Sequence, residues 1–106
     1  MEINLKQGEA KNITFNIKDE AGNEVDCSST TCSFVVKTKL GGTALITKAD
    51  GVFDKTDAAS GVLVVNITST DSDIDSLVYV SQLTITFSAT DIIKSNVINF
   101  IIEADV

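Results

Sequence analysis

The chain contains no histidine, no tryptophan and no proline. Lack of histidine removes the usual general base near neutral pH and the commonest metal ligand. It also rules out Ser–His and Cys–His nucleophile systems. Two cysteines are too few for a structural zinc site, which takes four ligands. One tyrosine and five phenylalanines leave little for a sugar-stacking platform, and most of these rings fall at inward positions. Basic residues are outnumbered: eight against fifteen acidic ones give a net charge of −7. That field repels phosphates, and the few lysines are scattered, so no nucleic-acid partner is expected. The acidity likewise argues against anionic lipid and reads as a solubility device. No apolar run approaches the ~20 residues of a membrane span. The opening "MEINLKQGEAKNITF" is polar by its sixth residue and has no signal-peptide core. The expectation is a chain made in the cytosol with no membrane partner.

What is present is a β pattern. With 106 residues, 43% of them apolar, the chain has the size and composition of one folded domain, expected over 1–106. In "KNITFNIK" (11–18), Ile13, Phe15 and Ile17 alternate with Thr14 and Asn16, as in a half-buried strand. Gly22-Asn23 then signals a turn. Cys32, Phe34 and Val36 form the next inward row, and Gly41-Gly42 a hairpin turn. "TALITK" (43–48) reads as a short edge strand, and 49–61 as loop carrying Val52-Phe53. "VLVVNIT" (62–68) is a further strand, and Thr70 with Asp73 suggests a capping box opening a single helical turn over 69–76. The last hairpin places Tyr79, Leu83, Ile85 and Phe87 inward, turns at "SATD", and returns through Ile98, Phe100 and Ile102. About seven strands, with turn signals roughly every 8–12 residues, predict an all-β antiparallel sandwich or barrel.

The chemistry-bearing residues have ordinary readings. Cys27 and Cys32 lie too close in sequence for an inter-sheet disulfide and read as two free, largely buried thiols. Asp71, Asp73 and Asp75 have the alternate spacing of a calcium loop, but its glycine and closing glutamate are missing, so a solvated capped turn is expected. Asn12-Ile13-Thr14 and Asn66-Ile67-Thr68 match the glycosylation sequon inside strands, where alternation alone produces them. Asp50, Asp54 and Asp57 surround Phe53 without an acid–base arrangement. No catalytic residue, cofactor or metal is assigned. The second faces of two strands are apolar: Val62 and Val64 lie opposite Leu63, Val65 and Ile67, and Val97 and Ile101 lie opposite Ile98, Phe100 and Ile102. Either loops cover them or they form a patch of the kind that marks protein contacts.

Three blocks carry a resemblance. "DEAGNEVD" with "SFVVK", "SGVLVVNITSTDSD" and "YVSQLTITFSATDIIKSNVINFIIEADV" resemble small immunoglobulin-like domains of bacteriophage virion proteins, notably at the N-terminus of baseplate upper proteins and in tail or fibre proteins. The resemblance implies an immunoglobulin-like β-sandwich. It also implies apolar core positions at Cys27 and Cys32, and a longer hairpin where "SATD" replaces the family glycine. The expected function is non-enzymatic assembly in the virion, after synthesis in the bacterial cytoplasm. Partners would be other virion proteins and the chain itself, with no small-molecule substrate, and Val62, Val64, Val97 and Ile101 as the interface. The rivals are a cell-surface carbohydrate- or adhesin-type module, and an acidic inhibitor whose charges would line one face as a DNA mimic.

Overall fold

The computed structural model describes residues 1–105. Among them run nine strands: β1 (Glu2–Lys6), β2 (Lys11–Asn16), β3 (Thr31–Lys37), β4 (Ala44–Lys48), β5 (Phe53–Asp54), β6 (Val62–Ile67), β7 (Val78–Ser88), β8 (Asp91–Lys94) and β9 (Ile98–Glu103). The strands form two sheets. The larger has the order β1-β9-β7-β3-β4, with β8 also on β7; the smaller is β2-β6-β5. Every pairing is antiparallel except β1 with β9, which is parallel.

Alternation decides what each sheet buries, because successive side chains on a strand point to opposite faces. Ile13 and Phe15 of β2 and Leu63, Val65 and Ile67 of β6 face Phe34 and Val36 of β3, Tyr79, Leu83 and Ile85 of β7, and Phe100 and Ile102 of β9. All belong to one continuous core, and each large side chain removed from water contributes roughly 1.5–3 kcal/mol. Three rings link the layers: Phe15 lies 5.6 Å from Phe34, and Phe34 lies 6.3 Å from Phe100, centroid to centroid. The Tyr79 hydroxyl donates to the Asp75 carbonyl at 2.7 Å, closing the corner where the chain crosses from β6 to β7. Such a tyrosine at the start of this strand, with two sheets in this order, is the signature of an immunoglobulin-like sandwich.

The structure corrects several local expectations. β1 adds a strand to those expected from the sequence: Ile3 and Leu5 are buried, opposite Phe100 and Ile102 in the parallel ladder. The segment 69–76 forms hydrogen-bonded turns and bends but no helix. Its capping box sits two residues earlier than expected. The Thr68 N–H donates to Asp71 Oδ2 (2.9 Å), and the Asp71 N–H donates to Thr68 Oγ1 (3.1 Å). The helical turns are instead short 3-10 segments at Asp50–Val52 and Ala58–Ser60. The last hairpin is split. β8 pairs with the C-terminal half of β7, the ladder breaks at Ser95, and β9 takes up the N-terminal half. At the break Ser95 keeps Leu83 satisfied, its N–H donating to the Leu83 carbonyl (2.9 Å) and its Oγ accepting the Leu83 N–H (3.0 Å). A buried backbone group must find some partner, and here a side chain supplies one.

Candidate functional site

The interface candidates separate once the sheets are assembled. Val62 and Val64 project from the outer face of β6, half-buried beside Asn16, Thr14 and Asp54 on the neighbouring strands. Ile101 projects from the outer face of β9, and Val97, 48% exposed, precedes that strand. The inner faces of β6 and β9 share the core, so the two outer faces point in opposite directions. The structure brings Val97 and Ile101 together with residues of β7, and leaves Val62 and Val64 on the far side.

The two faces differ in chemistry. Around Val62 and Val64 the smaller sheet presents Asn12, Thr14, Asn16 and Asn66, and the Asn66 amide donates across the strands to Asn12 Oδ1 at 2.8 Å. These residues include both sequon asparagines, and the face is mainly polar. The outer face of the larger sheet is more apolar. Val78, 59% exposed, stands opposite Ile101. A shallow groove of about 280 Å³ runs beside it, lined by Val35, Lys37, Leu40, Val80, Gln82 and Val97. Strands β3, β4 and β7 of this sheet contain no aspartate or glutamate, and neither do β2 and β6 of the smaller sheet, although the chain has fifteen acids. Alternation already places Val35 and Val80 outward, but only the assembled sheet sets them beside Val97.

The acidic residues singled out above are occupied with fastening loops. Asp50 accepts the Cys32 N–H at 2.8 Å and pairs with the Lys55 ammonium. Asp54 takes both the N–H and the hydroxyl of Thr56, while the carbonyl of Asp57 receives the N–H groups of Ser60 and Val62. No group of three or more ligating side chains that could hold a metal comes together among the described residues. Burial works to raise the Asp71 pKa. The bonds from Lys48 Nζ (2.5 Å) and from Thr68 outweigh it and hold the carboxyl below the ordinary aspartate value. Asp50 and Asp54 are lowered too, by Lys55 with the Cys32 N–H and by Thr56. A carboxyl whose folded pKa is depressed contributes stability above its unfolded pKa, and that contribution is lost as pH falls through the folded value. The urea midpoint should therefore stay level from about pH 7 to pH 5 and fall below about pH 4. Asp71→Asn should flatten that fall; a profile unchanged by the substitution would remove Asp71 from the account.

Both cysteines are buried, at 0% and 3% exposure, and unbonded to each other. Burial, then Cys32 and Asp26 nearby, pushes the Cys27 thiol above its ordinary pKa, with Lys55 opposing. A thiol kept protonated and out of water does not react. Thiol titration should give essentially no fast reaction in the native protein and two equivalents in denaturant. None in denaturant would mean an oxidised pair.

The aromatic rings offer no sugar platform: Phe15, Phe34, Phe53, Tyr79 and Phe100 are buried, and Phe87 is half-buried against the core. The acids do not line one face, since Asp19, Glu20, Glu24 and Asp26 lie between β2 and β3, and Asp71, Asp73 and Asp75 lie between β6 and β7, at opposite ends of the sandwich. No protein-family model matches the chain, and no curated protein matches it.

Proposed function

We propose that the chain is a non-enzymatic structural domain of a phage or prophage virion, which works by docking to other virion proteins. The observation that carries this reading is the outer face of the larger sheet. It combines exposed apolar residues, Val78, Val97 and Leu40, with a groove lined by Val35, Val80 and Val97, on a chain that is strongly acidic. Exposed apolar surface of that kind marks a contact site. The three sequence blocks that resemble virion domains supply the setting. The acidic remainder keeps the domain from adhering to packaged DNA, because like charges repel.

The reading is tested on purified particles. Mass spectrometry of virions from a host encoding the chain should find it at a stoichiometry typical of structural proteins. Val80→Lys leaves the core untouched and places a charge at the groove; virions grown with it should lose the domain. Particles that lack the wild-type chain, or retain the Val80→Lys chain at full occupancy, would refute the proposal.

A further inference from the structure

The chain has eight basic residues, all lysines, and five of them are engaged among acids or carbonyls. Lys6, Lys48 and Lys55 pair with Glu103, Asp71 and Asp50. The Lys11 ammonium donates to the Asn4 carbonyl at 3.2 Å. Lys18 stands opposite Glu24 in an isolated bridge, beside Asp19 and Glu20. Lys37, Lys39 and Lys94 remain, and none of the three forms a salt bridge among the described residues.

All three border one feature, the groove on the outer face of the larger sheet. Lys37 lines it, and Lys39 precedes Leu40, which lines it from the turn after β3. Lys94 stands opposite Thr84, another lining residue, and residues directly opposite in an antiparallel ladder share a face. The segments 27–49, 76–90 and 92–102, which build this face, contain no aspartate or glutamate. Asp91, between two of them, faces Ser88 at the other end of β8 from Lys94. On the outer face of the smaller sheet, by contrast, Asp54 stands opposite Val64. A chain of net charge −7 therefore carries an apolar groove whose charged neighbours are all positive.

Complementary potential selects a partner and suppresses wrong ones. The groove, at about 280 Å³, falls below the roughly 300–1,000 Å³ of small-molecule sites, yet it admits an apolar side chain between Val35, Val80 and Val97. A nucleic acid would run on past three lysines onto the acidic remainder and be repelled there. A short peptide segment ends within the basic border. We propose that this groove takes an acidic segment of another protein, which seats an apolar side chain among the three valines and sets carboxylates against Lys37, Lys39 and Lys94. The inference rests on the docking reading above and names the chemistry of its partner.

The probe is a short synthetic peptide with carboxylates flanking a central leucine, titrated to about 5 mM into isotopically labelled protein. Amide resonances of Lys37, Leu40, Val80 and Val97 should move together, and binding should weaken about tenfold in high salt. A peptide with amides in place of the carboxylates should bind about tenfold more weakly. K37E/K39E/K94E should lose about tenfold or more, while K37R/K39R/K94R should stay within about threefold of wild type; circular dichroism checks the fold of both. Silent groove resonances, an amide peptide that binds equally, or a charge-reversed variant that binds normally would overturn the proposal. So would a single-stranded oligonucleotide that binds the groove more tightly than the peptide, or groove shifts that follow protein concentration alone, which would mean a second copy. Virion incorporation separates this inference from the reading it rests on. Particles that lose the Val80→Lys chain but keep K37E/K39E/K94E at full occupancy would leave the docking role standing and overturn the acidic partner.

Discussion

Phe34→Ala is expected to cost about 4 kcal/mol of folding stability. Phe34 has no exposed surface and stands between Phe15 of the smaller sheet and Phe100 of the larger, with centroids at 5.6 Å and 6.3 Å. Truncation removes the transfer free energy of the ring and leaves a void at the junction of both layers. Its neighbours sit on paired strands and cannot collapse into that void, so the cavity contribution stays near its full size. A domain of this length has some 5–15 kcal/mol to lose, which makes the change a large fraction of the total. Urea unfolding should show a lower midpoint with an unchanged slope. Val35→Ala, one residue along the same strand but facing outward, is the comparison and should shift stability by less than about 1 kcal/mol. Equal losses at the two positions would mean that the rings do not organise the core.

Gly61→Ala should be nearly as damaging, about 3 kcal/mol or more, for a different reason. Gly61 ends the Ala58–Ser60 turn with φ at +80°, a conformation that costs L-residues roughly 1–2 kcal/mol. A methyl group there would also lie 2.5 Å from the Ile17 carbonyl oxygen and 3.0 Å from that of Val25. Both obstacles are backbone. The Ile17 N–H donates to the Gly61 carbonyl at 2.7 Å and the Val25 N–H donates to the Ile17 carbonyl at 3.1 Å, so neither can move without breaking a bond. Gly22 separates the two effects. It has φ at +84° but open space around its Cβ position, and Gly22→Ala should cost only the conformational part, about 1 kcal/mol. If the two substitutions cost the same in urea titrations, the close approach at Gly61 contributes nothing.

Most of the core could be read from spacing alone. Ile13 and Phe15, Phe34 and Val36, Leu63 to Ile67, and Ile98 to Ile102 alternate cleanly and are buried as expected. The period of two is imposed by the strand itself, so no distant information is needed. Phe87, expected inward, is only half-buried because the β7–β8 ladder shifts register between Thr86 and Ser88, which breaks the alternation at this residue. β1 is not legible locally because its partner is β9, at the other end of the chain. Ile3 and Leu5 alternate, yet a parallel pairing leaves no hairpin signature between its strands. β8 holds adjacent isoleucines, Ile92 and Ile93, which show no period. The interface residues were legible only halfway. Alternation tells which side of its own sheet a side chain occupies, and Val62 and Ile101 both read correctly as outward. It does not tell which sheet a strand joins, so spacing alone does not separate two faces of opposite aspect. Val35, Val80 and Leu40, from three separate stretches, become neighbours only after β3 pairs with β7.

The parallel alignment of β1 with β9 has a mechanical corollary. Because the first and last strands run side by side in the same direction, the chain enters the sandwich at one tip and leaves at the other. Tension drawn between residues 1 and 105 runs along the five-residue seam from Glu2↔Asn99 to Lys6↔Glu103, and every rung of that ladder takes the load in shear at once. The Lys6–Glu103 ion pair sits on its last rung. Peeling one rung at a time, as in a hairpin pulled from its open end, is not available to this geometry, and a tensile pull must tear the seam as a unit.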